Sequence, residues 1–494
     1  METAPSTYKG IFKSTALFGF VQAFKAAISI ANNKIIAILL GAEGMGIIGI
    51  FQTAIQFIQT GAGLGINQSA VRNISEANGC GDKLRFSKTI SVTNQIIIYT
   101  GLLGCTITII LSPWLSKWMM GKNGYTIAFI CLGLVVMFNI MTEGQLAVLK
   151  GMRQLQSLAK ASLIGSVVGL IFGAPLYYFF GIRGIIPELI IASGFALFFS
   201  NYFVKKINYD KIKFSLKEVY NEALPILKMG ISLMFVSFLG TIASLIVASY
   251  IRANGGIKIM GYYSAGNVLL NSYFGMVITA LMTDYYPRIS AVNKNNDKLE
   301  EELNRQSSVS LVLILPLIVI FLFLMPILIQ ILYTKDFIAS IDFLKYAIYG
   351  TLITICSNQV DMILVAKYNI KLFTSIAIVM RIIQVGLSIF LFKNFGLMGL
   401  GITVALMGVF HMTVMSISVY KLYGIIFNHF FIKIAVVVLA FSICASLSSE
   451  INNPILKYTI GAILSVLSII YSIYISRKYF NIDFIKIITS KIRK

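Results

Sequence analysis

The sequence predicts an all-α integral membrane protein of about fourteen transmembrane helices, in two parallel six-helix lobes with two further helices at the C-terminus. Three observations predict it. Hydrophobic residues make up 57% of the chain and charged residues 12%, with a mean hydropathy of +0.84, against about 45–50% and about 25% in soluble chains. The apolar residues come in continuous runs of about 20, which span hydrocarbon as helices rather than as ten-residue alternating strands. Short polar segments recur between the runs, which suits many spans better than one anchor with a soluble domain.

In order, the expected spans cover 14–40, 46–70, 89–112, 125–149, 157–180 and 184–204, then 224–251, 260–286, 309–333, 341–366, 371–393 and 396–420. Two more lie near 431–449 and 456–476. The basic linker from Lys205 to Lys217 separates the sixth from the seventh. The expected organisation is an N-lobe at 1–204, a cytoplasmic linker at 205–223, a C-lobe at 224–422, and helices 13 and 14 with a basic tail at 423–494. An internal repeat supports the split. Gly44–Gly49 recurs as Ile259–Ser264, and Phe180–Ile186 recurs as Phe395–Gly401, both at an offset of 215. Two anchors keeping one offset mark a duplication. Six spans per copy is an even number, so the copies enter from the same side, as in transporters built from parallel repeats.

The formal net charge is +22, from 41 Lys and Arg against 19 Asp and Glu. With the N-terminus cytoplasmic, about 28 basic residues fall on inside segments and about 8 outside, which is the positive-inside bias. That asymmetry explains most of the charge, so nucleic acid is not an expected partner. Both termini are expected in the cytoplasm and the protein in a bacterial inner membrane. Cys80, Cys105, Cys131, Cys356 and Cys444 are far apart and His411 and His429 isolated in sequence. No metal or redox spacing arises from them. No cleavable signal is apparent, because the apolar run after Phe12 is too long for one.

The first run carries Lys25 near its middle. Gln22, Lys25, Ser29 and Asn32 fall at i, i+3, i+7 and i+10, on one helical face. A lysine at that depth costs several kcal/mol on an isolated helix, so it should face protein or a wet cavity. Gln52, Gln56 and Gln59 share a face of the second span with Gly63, and Asn67 lies near it. Asn139 and Glu143 are four apart in the fourth span, and Asn267 and Asn271 in the eighth. Asn358, Gln359 and Asp361 cluster in the tenth; Arg381, Gln384 and Ser388 repeat the i, i+3, i+7 spacing in the eleventh. For any single amide, an interhelical hydrogen bond is the plainer explanation. Lys25 and Arg381 place one deep cation in each lobe, which suits an anionic substrate; arginine suits phosphate by bidentate hydrogen bonding. The opposing reading pairs Lys25 with Glu143 and Arg381 with Asp361 and leaves no net field.

No Walker loop, HExxH or GxSxG in a strand-turn-helix setting occurs, and every outside loop is short, unlike those expected of a membrane glycosyltransferase, ligase or polymerase. The protein is therefore expected to be a transporter and not an enzyme.

Phe24-Lys25, the Leu40–Gln52 stretch with its Gly-x-x-Gly-x-Gly break, Leu149–Arg153, Tyr286–Ser290 and Val365–Lys367 together resemble Wzx-type O-antigen and polysaccharide flippases of the MOP superfamily. The resemblance runs from about Lys9 to Arg477 and rests on the order and spacing of these motifs. It implies a V-shaped, MATE-like pair of lobes with a cationic central cavity working by alternating access. The implied substrate is an undecaprenyl-pyrophosphate-linked oligosaccharide repeat unit, and the implied partners are that substrate, membrane lipids and other surface-polysaccharide assembly proteins. Lys25 is the cavity cation the resemblance carries over. Arg381, Gln22, Asn32, Gln52, Gln56, Gln59, Asn271 and Gln384 are candidate substrate contacts by depth and face. Glu143 and Asp361 are candidates for coupling or charge pairing. No cofactor is expected; coupling to an H+ or Na+ gradient is left open. The alternatives are a MATE-type small-molecule exporter, weakened by the absence of an acid deep in the first helix, and a lipid II flippase, usually richer in cavity arginines.

Overall fold

A chain that spans hydrocarbon must satisfy its backbone polar groups internally, and every regular element described is helical. The computed structural model describes residues 24–79, 83–152, 154–207, 209, 210, 212 and 216–480. Gln22, Cys80, Arg153 and the tail after residue 480 lie outside them. Helix α1 covers 24–39. It is followed by α2 (Gly41–Ala62), α3 (Ile66–Gly79), α4 (Lys83–Met120), α5 (Thr126–Gly151), α6 (Leu155–Phe180) and α7 (Ile185–Lys205). Then come α8 (Leu216–Leu269), α9 (Gly275–Ala291), α10 (Asn296–Leu332), α11 (Ile341–Ala366), α12 (Ile370–Tyr423), α13 (His429–Ser448) and α14 (Pro454–Phe480). Local chemistry sets several starts. Asn428 caps α13 by accepting the Phe431 N–H at 2.8 Å, and Asn453 accepts from Ile455 N at 3.0 Å ahead of α14.

Among the described residues, nine helical stretches are long and apolar enough to cross a membrane, or up to ten with the bent pair α2 and α3, against fourteen expected spans. Three of the stretches account for three of the missing spans, and the first expected span lies only partly within the described residues. Gln156–Lys205, Met234–Ser272 and Ile370–Tyr423 each run through all or part of two expected spans. They are interrupted at Gly181, Gly256 and Gly396, where φ is +57°, +84° and +58°. The second expected span also differs from its prediction: α2 and α3 are bent by 49°. Leu64 and Gly65 both take positive φ there, and a left-handed pair cannot continue a helix.

Internal packing divides the chain into two units, Met1–Ser264 with Leu332–Thr334, and Ala265–Ile331 with Lys335–Lys494. The duplication is visible in the backbone. Gly41 and Gly256 are 215 positions apart and both have positive φ; so are Gly181 and Gly396. A Cβ on Gly184 would meet the Leu176 carbonyl oxygen at 2.3 Å, and one on Gly399, 215 positions on, would meet that of Leu391 at 2.1 Å. The apolar clusters follow the same offset. Ala70, Ile74, Val148, Leu149, Ala161 and Val204 are buried together in the first, and Tyr285, Ile289, Ile363, Leu364, Ile376 and Val419 occupy the matching places in the second.

Within the first unit, α2 and α8 cross at very short range. A Cβ on Gly46 would lie 2.1 Å from the Ile257 carbonyl oxygen, and one on Gly261 would lie 1.8 Å from that of Ala42. A Cβ on Gly49 would lie 2.1 Å from Ser264 Oγ. Small residues of this kind hold membrane helices together, because lipid supplies no hydrophobic drive between them. Gly46→Val and Gly261→Val are each expected to cost about 1–3 kcal/mol or more by overpacking. Gly386→Ala on α12, with nothing within 4 Å of a new Cβ, should be neutral or gain up to ~1 kcal/mol. Thermal unfolding of the detergent-purified variants checks both.

Candidate functional site

In the first unit, a cavity of about 180 Å³ is lined by Gln59 from α2, Asn67 and Gln68 from α3, Thr100 from α4, Glu143 from α5 and Ser237 from α8. The kink after α2 makes it possible, since Gly63, Leu64 and Gly65 turn α3 away and open the polar end of α2. Gln59 and Glu143 are thus brought to one cavity. Gln52 and Gln56 lie exposed one and two turns earlier on α2 and do not line it.

Lys25, on α1, is half-buried. Glu143 is the carboxylate whose field acts on it, with Lys150 acting in the opposite sense. No ion pair joins Lys25 to Glu143 among the described residues.

In the second unit Arg381 does not pair with Asp361, the pairing of the opposing reading. Arg381 is exposed on α12, and its Nη1 donates to Oε1 of Gln384 one turn on, at 2.6 Å. Asp361 is buried on α11 and its neighbour is His411: Oδ1 lies 3.5 Å from Nε2, an approach too long for a good hydrogen bond. His411 Nδ1 is 3.1 Å from Ser357 Oγ, and Asp361 Oδ1 has no hydrogen-bond partner. The histidine that looked isolated in sequence therefore stands beside the buried acid. Asn271 sits exposed in a π turn at Leu270–Phe274.

Gln359 has a structural role. It is fully buried on α11, accepts at Oε1 from Ser307 Oγ and donates through Nε2 to Ser310 Oγ at 2.7 Å. Its backbone oxygen accepts from the Tyr285 hydroxyl at 3.1 Å, which ties α9, α10 and α11 together.

Sequence reasoning missed Glu188. It stands in the first turn of α7, where an acid is usually read as a favourable partner of the helix dipole, yet it is only 6% exposed. Tyr177 of α6 comes close to it at Gly173. A Cβ on Gly173 would meet Glu188 Cγ at 3.2 Å, Tyr177 Cε2 at 3.3 Å and Asn32 Oδ1 at 3.7 Å, so the three side chains converge there. Asn32 Oδ1 is buried without a hydrogen-bond partner. Asn32, a candidate contact of the polar route, approaches the same Gly173 that Glu188 does.

The family described as "Polysaccharide biosynthesis protein" matches residues 35–342. The chain belongs to that family. No match is found among curated proteins. Among solved structures, the chain is similar to the lipid II flippase MurJ in an inward closed conformation, with TM-score 0.67 and 17% identity over 94% of this chain and 99% of that one. It is also similar to an inward-facing MATE multidrug resistance transporter of the MOP superfamily, with TM-score 0.65 and 16% identity over 84% and 95%. The MATE multidrug transporter DinF-BH matches at TM-score 0.60 and 15% identity over 85% and 96%. The fold is therefore similar to that of these transporters.

Glu188→Ala is expected to leave a void beside Tyr177 and to cost about 0.5–3 kcal/mol. Glu188→Gln fills that space and should cost less. Thermal unfolding in detergent distinguishes the two.

Proposed function

We propose that the protein is a flippase that moves a polyprenyl-pyrophosphate-linked oligosaccharide, such as an O-antigen repeat unit, across the bacterial inner membrane by alternating access. The observation that carries this reading is the family membership, which ties the chain to polysaccharide biosynthesis, in a protein whose fold is similar to that of membrane transporters.

The physical task explains the residues. An oligosaccharide and a pyrophosphate cannot cross ~30 Å of hydrocarbon unaided. In this reading Lys25 and Arg381 attract the pyrophosphate, and Gln59 with the amides of α3 offers hydrogen bonds to sugar hydroxyls while the polyprenyl tail stays in lipid. Two features of the geometry support the cationic assignment: among the described residues Lys25 has no ion-pair contact with Glu143, and Arg381 is turned to Gln384 rather than to Asp361. Glu143 and Asp361 are the acids assigned to coupling with an H+ or Na+ gradient. Reconstituted flipping that ignores both gradients would reject that coupling.

In a strain lacking its own flippase, Lys25→Ala and Arg381→Ala are each expected to abolish surface-glycan complementation while the protein still reaches the membrane. Normal glycan with both variants would sink the cationic mechanism. Arg381→Lys should be impaired by about tenfold or more in transport rate if two-pronged phosphate contact matters.

A further inference from the structure

The only two tryptophans of the chain, Trp114 and Trp118, stand one turn apart near the end of α4. Their rings lie 4.6 Å apart between centroids and are tilted by 33°. Together with Lys117 they form one side of an open cavity of about 640 Å³, flanked on the other side by Ile246, Ser249 and Arg252 of α8. Both helices belong to the first unit over these residues. None of these residues takes part in the proposed translocation machinery described above.

Tryptophans at this level of a membrane helix are often no more than interfacial anchors. Three observations separate this pair from that role. First, the rings wall a cavity within the usual range for small-ligand sites, about 300–1,000 Å³, and Trp114 keeps half of its surface exposed. Second, Ser249 in the opposite wall is 5% exposed, and its Oγ is buried with no hydrogen-bond partner. Other hydroxyls on the same helix bond back along it, Ser244 to the Gly240 carbonyl at 3.0 Å and Thr241 to that of Phe238 at 2.8 Å. A buried hydroxyl left without a partner costs about 1–3 kcal/mol unless something supplies one. Third, the platform is held rigidly. Arg252 donates through Nε to the Met119 carbonyl at 2.7 Å and through Nη2 to that of Trp118, which fastens the end of α4 to α8. Two of its donors are committed to that clamp, so Arg252 is a positioning residue, and Lys117 stands as a second cation at the rim.

We propose that this cavity is a saccharide-binding site for an anionic sugar, one bearing a phosphate or carboxylate. The apolar C–H face of a pyranose ring stacks on the indole of Trp114, ring hydroxyls reach Ser249 after rotation about its χ1, and the acid group meets Lys117. The inference rests on the flippase reading for its biological sense: with the N-terminus inside, the end of α4 faces the outside, where an emerging glycan would meet it. The binding itself does not depend on that reading.

The two tryptophans make the site its own reporter. Purified full-length protein in detergent is titrated with N-acetylglucosamine 1-phosphate, N-acetylglucosamine and inorganic phosphate, and in nanodiscs with and without phosphatidylglycerol, while tryptophan emission is followed. The expected result is a saturable change with the sugar phosphate, a weaker affinity for the neutral sugar, and none with inorganic phosphate. Trp114→Phe, read through Trp118, and Ser249→Ala should each weaken the sugar phosphate about fivefold, and Lys117→Ala should erase its advantage over the neutral sugar. No saturable change with either sugar, an equal response to inorganic phosphate, or a response to phosphatidylglycerol alone would overturn the site. The flippase reading stands or falls separately, on complementation by the unaltered protein; a Trp114→Phe variant that exports glycan normally and binds sugar as wild type also overturns the proposal.

Discussion

The close crossing of α2 and α8 is the contact on which the first unit depends. Within a bilayer, apolar side chains gain nothing by leaving lipid for one another, so helices associate through packing and backbone proximity. Gly46 and Gly261 bring each helix against a carbonyl oxygen of the other at a distance that no side chain allows. The geometry around that crossing follows. Gly256, with φ of +84°, breaks α8 just before it, and Gly41, with φ of +64°, separates α1 from α2 just before its counterpart. The two breaks are copies of one feature, and both are set by residues without a Cβ.

Polar groups in the interior fall into two kinds, distinguished by whether their hydrogen bonds are satisfied. Gln359, with partners at both ends of its amide and at its backbone carbonyl, rigidifies the second unit. Gln145, whose Oε1 accepts from Ser200 at 2.6 Å, does the same between α5 and α7 in the first. Asp361, Asn32 and Ser249 each keep a buried oxygen without a hydrogen-bond partner. Structural needs alone do not account for these, since an unsatisfied group lowers stability without holding anything together.

Much of the fold was legible in advance because it depends on patterns within short stretches. The duplication was readable from Gly44–Gly49 and Phe180–Ile186, and the glycines of those motifs are the positions with positive φ or close backbone contact. The polar face ending at Gln59 led to the cavity shared with Glu143, since helical spacing decides which residues point together. The partners of Asp361 and Arg381 were not readable. His411 is 50 residues from Asp361 on another helix, and nothing in the spacing of either span refers to the other. Glu188 escaped for the same reason, as its burial against α6 comes from packing that spacing along α7 does not show.

The amino-acid sequence by itself determined that the chain is a helical membrane protein, that it is duplicated, and which residues share each helical face. Those properties follow from hydropathy, period and glycine placement, all of which are local. Only the tertiary structure decided that α2 bends at Leu64, that Asp361 meets histidine rather than arginine, and that a buried carboxyl lies behind Asn32. The physical reason is that a charge or a hydrogen bond is settled by whichever group lies within a few ångströms, and helix packing, not spacing along the chain, chooses that group.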